Sequence, residues 1–296
     1  MVAGGRLLAA PGRARRALRP RRAHLLAAAV VVLVVAVALQ LRGSGAPAPA
    51  GAAGLRVTVL DVGQGDAILL DPAPGDPILV DAGPVGAGLA ARLRDGGVER
   101  LAAAVISHDQ SDHAGGLPEL IDAIPVSTLA YGRRSRRLSA LARAGGVAAT
   151  RVAEGSELRS GALRLEVLWP PRTLLDGASS SDPNALSVVL LARWHRFEML
   201  LTGDAEAEAV PVEPGPLDVL KVAHHGSADP GLGGLLDLSA PRVAVISVGA
   251  DNPFGHPTPE TLEALAGHDV EALRTDLAGD VAIDVSRGGW SVHGVE

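Results

Sequence analysis

Ser107-His108-Asp109-Gln110-Ser111-Asp112-His113-Ala114-Gly115-Gly116 sets two imidazoles and the Asp112 carboxylate within six residues, directly after the apolar run Leu101 to Ile106. A strand that ends abruptly in a tight turn aims successive side chains inward, and Gly115-Gly116 lets the backbone leave that turn into a helix. His108, Asp112 and His113 then converge on one point, as in a catalytic metal site. Alone, such residues also populate polar turns and helix caps. Three later apolar runs end in the same kind of residue. Phe197 to Thr202 runs into Gly203-Asp204, Leu217 to Ala223 into His224-His225-Gly226-Ser227, and Val243 to Val248 into Gly249 and then Phe254-Gly255-His256-Pro257. Neutral imidazole and carboxylate oxygen suit zinc or manganese, and open coordination positions mark the catalytic kind of site. A bound divalent ion lowers the pKa of its water from ~15.7 to about 7, so hydroxide is available as nucleophile against a phosphorus or carbonyl centre.

Those residues, in that order, resemble the metallo-β-lactamase superfamily, and within it the hydrolase domain of ComEC-like competence proteins. The resemblance also rests on Asp61-Val-Gly-Gln-Gly-Asp66-Ala67, Ile78-Leu-Val-Asp81-Ala-Gly83, Asn184-Ala-Leu-Ser187-Val-Val-Leu190, Leu220-Lys221-Val-Ala-His224-His225-Gly-Ser and Ile246-Ser-Val-Gly249 with Gly255-His256-Pro257. It spans roughly residues 55 to 293. It implies an α/β fold, a four-layer αββα sandwich with a site for two divalent ions, zinc or manganese, at one edge. It implies further that Asp112 and His113 hold one ion together with a histidine of the His224-His225 pair, that His108 holds the second, and that Asp204 bridges them. Members of this branch often carry Asp where this chain has Gln110. A neutral amide oxygen is a poorer ligand than a carboxylate, so the ion beside His108 is expected to be the weaker one.

Asp112, Lys221 and His256 are the candidate catalytic residues. Lys221, the only lysine, stands at the end of its strand either to add positive charge to a developing oxyanion or as an exposed strand-end lysine. His256 either donates to a substrate oxygen or caps its Gly-Pro turn. Asp61, Asp66 and Asp81 lie at strand ends near the same edge and read as turn residues or as supports that orient the ligands. His195, in Arg193-Trp194-His195-Arg196, reads as a hairpin-turn residue.

The elements that position these groups alternate. Strands are expected over Arg56 to Asp61, Ala67 to Asp71, Ile78 to Asp81, Leu101 to Ile106, Val126 to Tyr131, Leu163 to Trp169, Ser187 to Arg193 and Arg196 to Thr202. Helices are expected near Gly86 to Asp95, Leu117 to Ala123, Leu138 to Ala144 and Pro259 to Ala266, the last opened by Thr258-Pro259.

The N-terminal part has another character. Residues 1–23 carry seven arginines and no acid, residues 24–42 include the apolar run Leu25 to Leu41, and residues 43–54 form an Ala/Pro/Gly linker. This pattern predicts a transmembrane signal anchor, or a cleaved signal, with its N-terminus inside and residues 55–296 as an extracytoplasmic domain. Of the chain's 27 basic and 33 acidic residues, eight basic and no acidic ones lie in residues 1–50. The remaining 19 against 33 leave the domain at about −14, which argues against tight generic DNA binding. The local exception is Arg133-Arg134-Ser135-Arg136-Arg137, which either tracks a phosphodiester backbone or is a solvated helix face. The absence of cysteine excludes disulfides and thiolate ligands.

These readings favour a metal-dependent phosphodiesterase or nuclease, with single-stranded DNA as a candidate substrate. Small or cell-envelope phosphodiesters are the alternative. A non-catalytic membrane-tethered binding domain with a degenerate metal site is the alternative of another class. A role in DNA uptake calls for a separate channel protein, because a single hydrophobic segment cannot form one.

Overall fold

The computed structural model describes residues 54–177 and 182–295. The expected basic segment, hydrophobic helix and most of the linker lie outside the described residues. Among the described residues, no helix is long and apolar enough to cross a membrane.

The first part of the chain supplies β1 (Gly54–Val59), β2 (Ile68–Ala73), β3 (Ile78–Val80), β4 (Ala103–Ile106), β5 (Thr128–Tyr131) and β6 (Ala148–Arg151). The next supplies β7 (Glu157–Ser160), β8 (Leu163–Trp169), β9 (Val189–Trp194), β10 (Phe197–Leu201), β11 (Val219–Lys221), β12 (Val243–Ile246) and β13 (Glu271–Arg274). The chain then returns with β14 (Asp280–Ser286) and β15 (Gly289–Val295). One sheet has the order β15-β14-β1-β2-β3-β4-β5-β6 and the other β13-β12-β11-β10-β9-β8-β7.

Residue alternation stacks these sheets. In β1, Leu55, Val57 and Val59 face a core shared with Leu163, Leu165 and Val167 of β8, while Arg56 stays exposed. In β4, buried on both sides, Ala103 and Val105 face that same core, and Ala104 and Ile106 face outward under helices. This explains why β4 reads as an unbroken apolar run. The outer face of the first sheet is covered by α1 (Leu89–Asp95), α2 (Leu117–Ala123) and α3 (Arg136–Ala144). That of the second is covered by α4 (Leu232–Ser239) and α5 (Pro259–Gly267). The result is the expected mixed α/β fold of two sheets between helices. As expected, α5 opens on Thr258, whose hydroxyl accepts from Thr261 N, with Pro259 in its first turn.

Pairs β3/β4, β4/β5, β10/β11 and β11/β12 are parallel. Their carboxyl ends therefore open on the same edge of each sheet, the usual place for a site in such sheets. The Gly115-Gly116 pair has a different role from the one expected. Gly116 has ordinary helical torsions, so conformational freedom is not what it supplies. A Cβ there would fall on the carbonyl oxygen of Ala82, and one on Gly115 would fall on that of Ser111. The missing side chains let the histidine turn lie directly against the loop after β3, where Ala82 N donates to His113 O at 2.6 Å. Gly116→Ala is therefore expected to cost about 1–3 kcal/mol by overpacking. Urea denaturation of the variant beside the wild type checks this, and an unchanged midpoint would refute the close approach.

Candidate metal centre

Each candidate side chain sits just beyond a strand. His108 follows β4, and Asp112 and His113 lie on the one-turn helix Ser111–Ala114. Asp204 follows β10 through Gly203, which has φ 53°. His224 and His225 follow β11 in a turn where both have left-handed torsions, φ 48° and 55°. This backbone sends the two adjacent rings to different partners.

The outward nitrogen of each ring is fixed. His108 Nδ1 donates to Ser107 Oγ at 3.1 Å, and Ser107 Oγ donates to Asp81 Oδ2 at 2.7 Å. His113 Nδ1 donates to Asp81 Oδ2 at 2.9 Å, His224 Nδ1 to Glu206 Oε1 at 2.8 Å and His225 Nδ1 to the carbonyl of Ser247 at 2.9 Å. With Nδ1 carrying the proton, each Nε2 offers a lone pair. Those of His113 and His225 point at Asp204 Oδ1, 3.1 and 3.8 Å away, and His225 Nε2 also lies 3.5 Å from Asp112 Oδ2. Ligand atoms of Asp112, His113, Asp204 and His225 all fall within 4.8 Å of one another. His108 Nε2 and His224 Nε2 face the other oxygen of Asp204, Oδ2, at 3.7 and 4.0 Å.

Buried polar atoms are normally hydrogen-bonded, and exceptions call for a reason. Here His108 Nε2, His113 Nε2, Asp204 Oδ1 and His225 Nε2 are buried without a hydrogen-bond partner. A cluster of imidazole and carboxylate donors left unpaired around one point fits a divalent cation.

In the metal-free protein, protons on His113 and His225 balance the clustered carboxylates, and a bound ion would take their place. Burial and the nearby His113 hold the His108 pKa below its ordinary value, which keeps the ring neutral. Burial pushes Asp204 upward, but the charge of His113, 3.1 Å away, outweighs it and holds the carboxyl well below the usual range. Burial likewise pushes His225 down, yet the nearby carboxylates of Asp112 and Asp66 prevail and raise it to about 9.

The remaining candidates are placed as follows. Gln110 does not join the cluster; its amide nitrogen donates to Asn184 Oδ1 at 2.5 Å. Lys221, read as an exposed strand-end residue in one alternative, is instead fully buried, at 0 % exposure. Its ammonium pairs with Asp66 and donates to Gly203 O at 3.1 Å, so it has no surface with which to meet a substrate. His256 lies at the rim, its ring 5.7 Å from that of His224, with a buried and unbonded Nδ1. Asp81 and Asp66 support the cluster, the latter 3.5 Å from His225 Nδ1. Asp61 is a turn residue that accepts from Gly63 N. His195 forms the β9-β10 hairpin turn at φ 55°, well outside the cluster. Sequence reasoning missed Glu206, which orients His224, and the Asn184 side chain; the signal for Glu206 was its place two residues beyond Asp204.

Fold and site together define the class. The chain carries a metallo-beta-lactamase superfamily domain, the family model matching residues 60–166. Among curated proteins its sequence is similar to three competence and recombination proteins. ComE operon protein 3 of Bacillus subtilis (strain 168) is 30% identical over 196 residues, covering 62% of this chain and 25% of that protein. Competence protein ComA of Neisseria gonorrhoeae is 31% identical over 242 residues, covering 79% and 33%. Recombination protein 2 of Haemophilus influenzae is 31% identical over 246 residues, covering 77% and 29%. The chain thus spans a third or less of the length of these relatives, and the resemblance to the ComEC-like branch is borne out. Among solved structures, the metallo-beta-lactamase fold protein YhfI from Bacillus subtilis aligns with a TM-score of 0.54 at 14% identity, covering 75% of this chain and 96% of that one. That likeness concerns the fold alone.

Two outcomes are expected. Lys221→Met leaves Asp66 buried without its counter-charge and should cost about 3–5 kcal/mol in chemical denaturation, whereas a loss below 1 kcal/mol would mean that Asp66 is compensated elsewhere. In metal-free protein, a His225 pKa raised from 6.5 to about 9 contributes stability that is full below pH 6.5 and lost as pH rises through 9. Thermal melts of chelator-treated protein should therefore fall from about pH 6 to about pH 9; a rising melting temperature over that window would contradict a protonated His225 ring.

Proposed function

We propose that the chain is a metal-dependent phosphodiesterase acting on a polynucleotide, with single-stranded DNA as the leading substrate. The observation that carries this reading is a juxtaposition. A cavity of about 350 Å³ has His108 and Asp109 on one wall and Arg133, Arg134, Arg136 and Arg137 on another. Arg137 is tied to Asp109, with Nε 2.7 Å from Oδ1. Arg133, Arg134 and Arg136 are exposed and have no ion-pair partner among the described residues. Unpaired guanidiniums beside a candidate metal centre suit phosphates flanking the one under attack, because the planar fork matches phosphate geometry. This favours the phosphodiester-tracking alternative for the arginine segment over that of a solvated helix face.

Asp112, His113, Asp204 and His225 would hold one divalent ion, zinc or manganese, with His108 and His224 beside it. Such an ion supplies Lewis acidity and hydroxide at neutral pH. The protein's own residues divide the rest of the work. Asp81, Ser107, Glu206 and the Ser247 carbonyl orient the rings, and Lys221 acts through Asp66 as a positioning residue. His256, its ring held below the ordinary pKa by burial and by His224 and His225, is a neutral rim group suited to contact a substrate oxygen.

The similarity to competence proteins supports DNA as substrate, with a separate channel protein as the partner that uptake would call for. The arginines ahead of Leu25 to Leu41 support a single-pass anchor, or a cleaved signal, with residues 55–296 extracytoplasmic. The acidic charge of the domain favours the second reading, hydrolysis of small or envelope phosphodiesters.

The test compares linear single-stranded DNA with bis-p-nitrophenyl phosphate as substrates of the purified chain with added manganese or zinc. Asp204→Ala should abolish turnover of both. Arg134→Ala with Arg136→Ala should weaken DNA cleavage and flatten its salt dependence while sparing the small ester. Turnover of the ester alone would move the reading to small phosphodiesters, and turnover of neither would leave the non-catalytic binding domain.

A further inference from the structure

We propose that the centre holds one divalent ion tightly and a second only weakly, because His224, which would share the second ion with His108, is already engaged in a relay of neutral side chains, Gln110–Asn184–His224, anchored on Glu206. This inference rests on the metal-centre reading above and concerns its asymmetry.

The direction of the relay follows from its carboxylate end. Glu206 accepts only, and it receives His224 Nδ1–H at 2.8 Å and Ser227 Oγ–H at 2.5 Å. His224 must then present a lone pair at Nε2, which accepts from Asn184 Nδ2 at 3.3 Å. With its amino group so engaged, Asn184 turns its oxygen to Gln110, whose Nε2 donates to it at 2.5 Å. Each member satisfies the next, and each bond needs the donor or acceptor that this side chain provides. Aspartate at position 110 has no proton to donate to Asn184 at neutral pH, so glutamine is the residue matched to the relay.

The two ion positions differ accordingly. Around the first, two carboxylates and two imidazoles converge, and three of the ligand atoms are buried and unbonded. Around the second, His108 Nε2 is free but His224 Nε2 is already bonded, and the carboxylate oxygen facing both, among the described residues, is Asp204 Oδ2. An ion entering there must displace Asn184 from His224 and gains no charge from Gln110. A divalent ion such as zinc needs several imidazole or carboxylate ligands, so the second position is deficient in both charge and available ligands.

The test reads metal content rather than turnover. Wild-type chain is loaded with zinc, dialysed against metal-free buffer and assayed by elemental mass spectrometry, with calorimetric zinc titration of the stripped protein. About one ion per chain should be retained, with a second binding about tenfold to hundredfold more weakly. Gln110→Asp should retain two ions, and Asn184→Ser, which frees His224 Nε2 without adding charge, should strengthen the second step alone. Two equally tight ions in the wild type would overturn the proposal, as would a Gln110→Asp variant that folds and still retains one. Retention of no ion by the wild type and by Gln110→Asp alike would instead remove the metal-centre reading on which the proposal stands.

Discussion

The site depends first on a buried ion pair, Lys221 with Asp66. Asp66 sits on the loop between β1 and β2 of one sheet, and Lys221 ends β11 of the other. An ammonium at 0 % exposure is tolerable only beside a counter-charge and further acceptors, and Gly203 O supplies the latter. Burial raises the cost of charging Asp66, but Lys221 and the neighbouring histidines outweigh it and keep the carboxyl ionised far below its ordinary range. The pair thereby fixes the loop that carries Asp66 against the turn that carries Asp204. Other contacts close the same seam: Asp66 N donates to Asp112 O, Ser247 Oγ to Gly65 O and Gly249 N to Gln64 Oε1.

Upon that seam the imidazoles are oriented by a single rule. Every ring of the central four is held at Nδ1 by a different acceptor, so that every Nε2 is left to face inward. The acceptors come from both halves of the fold: Ser107 and Asp81 from the first sheet, Glu206 and Ser247 from the second. Preorganisation of this kind lowers the entropy lost when a cation is bound, because the rings have no rotamer search left to make.

Much of this was legible in the chain. The apolar runs before His108, Asp204 and His224 announced strands, and their polar endings announced a common edge. Which histidine of the 224–225 pair joins the cluster was not legible, because the answer lies in two successive left-handed residues that set the ring directions. The burial of Lys221 was hidden for a similar reason, since its partner lies far away in sequence and lysine is by default a surface residue. The strands β6, β7 and β13 escaped notice because they are four residues long and rich in exposed positions. In β13, Glu-Ala-Leu-Arg favours helix by propensity, and only parallel pairing with β12 makes it extended. The hairpin of β14 and β15 was a different miss, because Val281, Ile283 and Val285 alternate as a half-buried strand should. Gln110 was legible as a departure from the ComEC-like pattern, but its partner Asn184 was visible only in three dimensions.

The return of the chain to its first sheet bears on how the domain is made. β1 lies between β2 and β14, with Leu55 opposite Val285 and the Arg56–Asp284 ion pair joining residues 228 positions apart. During synthesis, then, one edge of β1 stays unpaired until almost the whole domain has emerged, and the shared core between the sheets cannot close before that. Closure over so long a loop slows folding, and the waiting strand edge is open to pairing with other chains. A nascent domain of this topology thus keeps one edge of β1 open until β14 has emerged, long after the residues of the candidate metal centre have been made.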